Sequence, residues 1–208
     1  MPIVTLIAPA GGLSPAQVDG LMTQWRGGDL RWLSEGEAAE FAVERTPGDQ
    51  WDVWQSLQGA QIDMVVQPDE GWRKAMLLAD MDSTMIGQEC IDELADEAGV
   101  GDHVKAITAR AMNGELDFEE ALVGRVSLLN GLDSGIIQRV FEERITFTPG
   151  GKTLIATMKA HGGYTALVSG GFTSFTARVA DALGFDEHHA NTLLEEVGRL
   201  SGEVARPI

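Results

Sequence analysis

The chain has 208 residues, 44% of them hydrophobic, and a formal net charge of -17. That length accommodates one large domain or two small ones with a real core, and so acidic a surface repels nucleic acid and anionic membranes, which excludes both as expected partners. No apolar run reaches membrane-spanning length, Met1-Pro2-Ile3-Val4 lacks the basic region of a signal peptide, and Cys90 is the sole cysteine, so no intrachain disulfide or thiolate metal cluster is expected and a reducing cytoplasm is the expected compartment.

Residues 2–9 read as a strand. Ser14-Pro15 supplies a helix N-cap followed by proline at the first helical position, so a helix is predicted from about Pro15 to Trp25. Gly27-Gly28-Asp29 turns the chain, and a strand follows around Ala39–Glu44. Asp49 starts a short helix with Trp51, Trp54 and Leu57 at helical spacing, and 61–67 is a further strand. The order β-α-β-α-β describes a small α+β domain over residues 1–68, with Pro68-Asp69-Glu70-Gly71 as a linker. Lys74–Asp82 is the next strand. A helical pattern occupies Ile86 to about Glu143, broken at Gly99-Val100-Gly101, Asn113-Gly114 and Asn130-Gly131. Thr148-Pro149 opens a helix that stops at Gly162-Gly163. Tyr164–Ser169 is a strand and Phe172–Leu183 a helix. From residue 74 onward the alternation predicts an α/β domain, a doubly wound parallel sheet with a helical cap at about 86–146.

Leu77-Leu78-Ala79-Asp80-Met81-Asp82-Ser83-Thr84 is the most informative stretch. A buried parallel strand ends in two carboxylates, at the sheet edge where open α/β folds place their chemistry. Two carboxylates and a phosphate dianion repel; each like-charge pair at 4 Å costs about 4 kcal/mol at an effective dielectric of 20. A Mg²⁺ ion would remove that penalty, leaving one aspartate to attack phosphorus and the other to move the proton. A solvated turn carrying two acids is the plain alternative. Val168-Ser169-Gly170-Gly171-Phe172-Thr173 is the second such strand end, with glycines and a helix N-terminus suited to phosphate; by itself it could be a tight turn. His188-His189 reads as a surface turn, Lys152 and Lys159 as members of a solvated helix, and the five tryptophans as core and domain-interface residues.

Taken together these residues resemble a known family. Asp80-Met81-Asp82-Ser83-Thr84 and Ser169-Gly170-Gly171 are similar to the first two motifs of the haloacid dehalogenase superfamily. Residues 107–114, Phe118-Glu119-Glu120-Ala121-Leu122, Arg125-Val126-Ser127-Leu128-Leu129, Thr148-Pro149-Gly150 and Ala190-Asn191 resemble its phosphoserine phosphatase branch, over roughly residues 74–206. The resemblance implies a Mg²⁺-dependent hydrolase acting on a small phosphorylated amino acid through an aspartyl phosphate, in serine biosynthesis. It makes Asp80 the nucleophile and a metal ligand, and Asp82 the general acid/base with its carbonyl on the metal. Ser169 and Gly170 would hold phosphate, Glu89 and Arg125 the amino and carboxylate groups, and Met112 and Phe118 would shield the pocket. The N-terminal segment is similar to the ACT-like regulatory domains fused to such enzymes.

Two further motifs of the family, a lysine and a Gly-Asp-Gly-x-Asn-Asp-like strand end, would follow Ile208. The expectation is therefore a haloacid dehalogenase-like core that is C-terminally truncated, weak or inactive as a phosphatase, with an uncovered strand edge that leaves a homo-oligomer open. Rival readings are a related phosphatase with another small phosphomonoester, and a non-catalytic amino-acid-binding or assembly module. A phospho-accepting receiver domain also uses aspartate and Mg²⁺, but the long helical insertion after Asp82 argues against it.

Overall fold

Alternation along the first strand sets the first core. In β1 (Pro2–Ile7) Val4 and Leu6 are buried while their neighbours face outward. The computed structural model describes residues 1–71 and 73–208, so Trp72 lies outside the described residues, and the chain divides into two units, Met1–Lys74 and Ala75–Ile208.

The first unit continues with α1 (Pro15–Trp25), β2 (Gly28–Ser34), β3 (Ala38–Ala42), α2 (Gln50–Gln58) and β4 (Asp63–Pro68). Its sheet runs β2-β3-β1-β4 with antiparallel neighbours, the β-α-β-β-α-β arrangement of a split βαβ fold. A capping box starts α1: the Ser14 hydroxyl accepts from the Gln17 amide at 3.3 Å, and the Gln17 side chain accepts from the Ser14 amide at 2.8 Å. Val18 and Leu21 of α1 join Val4, Leu6, Phe41 and Met64 in one cluster. Gly27 is needed where α1 turns back, because a Cβ there would lie 2.5 Å from the Phe41 ring.

Here the structure corrects the sequence reading. An extra strand, β2, stands where a turn and an unassigned stretch were expected, so the order is not β-α-β-α-β. As a sheet edge with register shifts against β3, β2 is largely exposed and shows no hydrophobic alternation. The tryptophans do not all fill a core either. Trp25 and Trp32 pack against it, but Trp51 is 71% exposed and meets Trp54 edge-on, since α2 buries none of its residues fully.

In the second unit, β5 (Met76–Ala79), β6 (Tyr164–Phe172) and β7 (Glu187–Asn191) form a parallel sheet in that order. Between β5 and β6 lie α3 (Cys90–Glu97), α4 (Gly101–Met112), α5 (Phe118–Ser127), α6 (Gly135–Glu143) and α7 (Gly151–Ala160). α8 (Thr173–Leu183) crosses from β6 to β7. Leu167, Phe172, Phe175 and Val179 meet Met81, Leu94, Val126 and Ile155 in a continuous core. Arg144 at the end of α6 pairs with Glu93 at 3.2 Å and Glu97 at 2.7 Å, fastening α6 to α3.

His188 and His189 sit in β7, not in a turn. Alternation sends them apart: His188 Nδ1 bonds the Thr176 hydroxyl at 3.0 Å, while His189 stays exposed beside Glu187. Lys159 is not merely solvated; its ammonium pairs with Asp186 at 2.7 Å, and Asp186 also accepts from the Thr165 amide and hydroxyl at 2.8 and 2.9 Å. These contacts, the lysine foremost, hold the Asp186 carboxyl below its ordinary range. An unanticipated hairpin, β8 (Leu193–Glu196) and β9 (Arg199–Val204), turns through Val197 and Gly198, both at positive φ. Val-Gly carries no hairpin signal, which is why the sequence conceals it. The hairpin docks on the helical segment: the Gly131 amide donates to the Leu200 carbonyl at 2.8 Å, and the Leu200 amide to the Leu132 carbonyl at 2.9 Å.

Because Phe175 is wholly buried, Phe175→Ala should cost about 3–5 kcal/mol of unfolding free energy, whereas Trp51→Ala should change it by less than about 0.5 kcal/mol. Urea denaturation followed by circular dichroism checks both.

Candidate active site

Parallel pairing aligns Ala79 of β5 with Leu167 of β6, so Asp80 and Ser169 both emerge at the carboxyl edge of the sheet. Asp80 accepts from the Met81 amide at 2.7 Å and is exposed. The chain then makes a wide turn, closed by the Ile86 amide on the Met81 carbonyl at 3.1 Å, with Ser83 left-handed at φ 51° and ψ 18°. This turn carries the Asp82 carboxylate back over the sheet edge, where the Cys90 amide faces it at 3.4 Å.

The second strand end meets it there. Ser169 is buried, and its oxygen accepts from the Gly171 amide at 2.9 Å, which leaves the hydroxyl proton free for an anion. Gly171 is tightly surrounded: a Cβ would press at 3.0 Å on Asp82 Oδ2 and at 3.1 Å on Ser169 Oγ. The carboxylate and the hydroxyl thus flank one point. A Cβ on Gly170 would press at 3.2 Å on the Phe118 ring, and Asn191 anchors that loop by donating to the Gly170 carbonyl at 2.8 Å.

Asp80, Asp82, Glu89, Phe118, Arg125, Ser169 and Gly170 line one cavity of about 280 Å³. Met112 does not line it. As the last residue of α4 it is 84% exposed, its side chain released to solvent where the helix ends. Gly171 and Phe172 of the second strand-end motif also line the cavity, as do Ile91 and Leu122, which sequence reasoning did not assign there. Ile91 and Leu122 lie on α3 and α5, where helical periodicity marks them only as buried positions.

The cavity is strongly acidic. Asp80, Asp82 and Glu89 face a single cation among the described lining residues, Arg125. Arg125 Nε donates to the Ala121 carbonyl of its own helix at 3.2 Å, and no ion pair engages its guanidinium among the described residues. Burial pushes the Asp82 carboxyl up to about 6; hydrogen bonds from Cys90 oppose the shift, and the charges of Glu89 and Asp80 add to it. Oxygen donors dominate the site. Among the described residues no three His, Cys, Asp or Glu side chains form a metal cage on their own. That donor set fits a hard cation that keeps its waters and takes one or two carboxylates with a ligand's phosphate oxygens.

The family model of haloacid dehalogenase-like hydrolases matches residues 77–207. The chain belongs to that family. A phosphoserine phosphatase of Archaeoglobus fulgidus is 46% identical over 145 residues, 69% of this chain and 42% of the relative. The chain spans about half the length of the curated relatives it matches. A haloacid dehalogenase family hydrolase from Salmonella enterica serovar Typhi aligns over 100% of this chain and 73% of its own, with a TM-score of 0.84 and 27% identity. A substrate-bound phosphoserine phosphatase aligns over 63% of this chain and 62% of its own, with a TM-score of 0.59 and 42% identity. Within this haloacid dehalogenase-like domain, the matched segment contains both strand ends and every residue lining the cavity.

The raised Asp82 makes stability depend on pH. Between about pH 4 and 6 the native carboxyl binds a proton that the unfolded chain has released, so without metal the stability falls as pH rises through that window. Relative to Asp82→Asn, the loss should be on the order of 2 kcal/mol. Denaturation midpoints measured in chelator from pH 4 to pH 7 should converge toward a flat difference above pH 6.

Proposed function

We propose that this domain hydrolyses O-phosphoserine to serine and phosphate, with Mg²⁺, in serine biosynthesis. The observation that carries the reading is the grouping of Asp80, Asp82, Glu89, Arg125, Ser169 and Gly170 around one small cavity. A phosphorylated amino acid has three charged ends, and the cavity offers a matching group to each. The Ser169 hydroxyl and the backbone at Gly170 take the phosphate. Arg125 presents a planar fork to the carboxylate, and Glu89 accepts from the ammonium. Phe118, whose ring lies against Gly170, covers one side of the phosphate position.

Asp80, in the cavity lining, attacks phosphorus, forming an aspartyl phosphate as the serine oxygen leaves. Asp82 donates the proton to that oxygen, then takes one from the water that attacks the aspartyl phosphate. A carboxyl held up to about 6 suits both steps near neutral pH, whereas an ordinary aspartic acid would be a poor proton donor there. The donor set would hold Mg²⁺ on Asp80 and on the backbone carbonyl of Asp82; when bound, the ion supplies charge neutralisation for the phosphoryl oxygens. The α+β unit, whose strand order suits an ACT-like fold, would serve as a regulatory module.

Phosphate release from O-phosphoserine with Mg²⁺ should exceed release from glycerol phosphate and p-nitrophenyl phosphate. Asp80→Asn should lower it by roughly a thousandfold or more. Equal release from all three esters would point to a different phosphomonoester, and no release from any would sink the reading.

A further inference from the structure

Ser83 occupies a position that neither the proton transfer nor the phosphate contacts require. Its backbone is left-handed at φ 51°, uncommon for a residue other than glycine. That conformation turns its hydroxyl toward Glu89, to which it donates at 2.6 Å, a short charge-assisted bond. The same residue's amide donates to the Gln88 carbonyl at 3.1 Å. Gln88 is clamped in turn: its side-chain amide donates to the Thr146 hydroxyl at 2.9 Å and accepts from the Thr146 amide at 2.9 Å. Glu89 is therefore held at its carboxylate by Ser83, and its backbone is fixed by a bridge between two chain segments nearly sixty residues apart.

A glutamate left alone here would not stay. Glu89 is exposed, with a long flexible side chain, and the Asp82 and Glu89 charges repel each other. Ordering such a side chain at the moment of binding opposes affinity. One hydroxyl donor occupies one of the carboxylate's acceptor positions and leaves the others open for an incoming ammonium. Resting on the reading of Glu89 as the ammonium acceptor, we propose that Ser83 is a positioning residue for amino-group recognition. Its hydroxyl pre-sets Glu89 so that the site distinguishes a phosphorylated amino acid from the same phosphoester without the amino group.

The test measures, by titration calorimetry with Mg²⁺, the affinity of the full chain for O-phosphoserine and for its deamino analogue, 3-phosphooxypropanoate, with Asp80→Asn in every chain compared so that neither ligand is hydrolysed. The quantity read is the ratio of the two dissociation constants. Glu89→Gln should bring that ratio close to one. Ser83→Ala should lower the preference for phosphoserine roughly tenfold while leaving the analogue's affinity unchanged. Ser83→Gly should behave the same way, since glycine adopts the left-handed backbone without strain and lacks only the hydroxyl. Adding Ser83→Gly to Glu89→Gln should change the ratio no further, because Ser83 acts through Glu89. A serine variant that weakens both ligands equally, or keeps the full preference while Glu89→Gln loses it, overturns the positioning role alone. No preference in the chain that keeps Ser83 and Glu89, or a preference that survives Glu89→Gln, overturns the reading of Glu89 beneath it.

Discussion

Parallel pairing of β5 with β6 places Ala79 opposite Leu167, and the whole site follows from that register. Two strands running the same way must end at the same edge, so the residues just beyond them, Asp80 on one and Ser169 on the other, are delivered to one place although 88 residues of chain separate them. A shift of one residue would turn every side chain of the strand to the opposite face. Leu167, wholly buried among Phe172, Phe175 and Val179, would then be exposed, so the hydrophobic core guards the geometry of the polar site.

The site concentrates negative charge that burial makes expensive. Asp82 shows the cost most directly, since its carboxyl is pushed upward by burial and by Glu89 and Asp80. Arg125 is the single cation among the described lining residues, and a phosphate dianion would worsen the imbalance. A cation is the simplest remedy, and the oxygen-rich donor set is suited to one. The same imbalance explains why the acids are tethered. Asp80 is held by the Met81 amide, Asp82 faces the Cys90 amide, and Glu89 is held by Ser83, so each repelled group has a donor that fixes its direction.

Much of the fold was legible in the sequence where a pattern repeats. Helical periodicity and the Ser14 cap marked α1, and glycines marked the breaks between α3, α4, α5 and α6. Elements without a pattern stayed hidden. Glu187-His188-His189-Ala190-Asn191 has no apolar alternation, yet it is a strand because β6 offers it a free edge. β2 lies exposed at a sheet edge and carries no alternation either, and the Val197-Gly198 turn has the wrong composition for a hairpin signal. In the site, the acid and glycine motifs stood out because their chemistry is unusual at strand ends. Met112 was placed in the pocket by resemblance, and the structure leaves it 84% exposed where α4 ends.

By itself the sequence determined which residues carry chemistry: two aspartates one residue apart after an apolar run, and a Ser-Gly-Gly before a helix. Those are local facts, decided by the intrinsic preferences of short segments for strand, turn and helix. Only the tertiary structure decided which of them meet. Convergence of Asp82, Ser169 and Gly171 around one point depends on strand register. The grip of Ser83 on Glu89 depends on a left-handed residue in a turn. The burial that lifts the Asp82 carboxyl depends on how the assembled chain covers it. Each is a non-local property, set by the free energy of the assembled core and invisible to any window of a few residues.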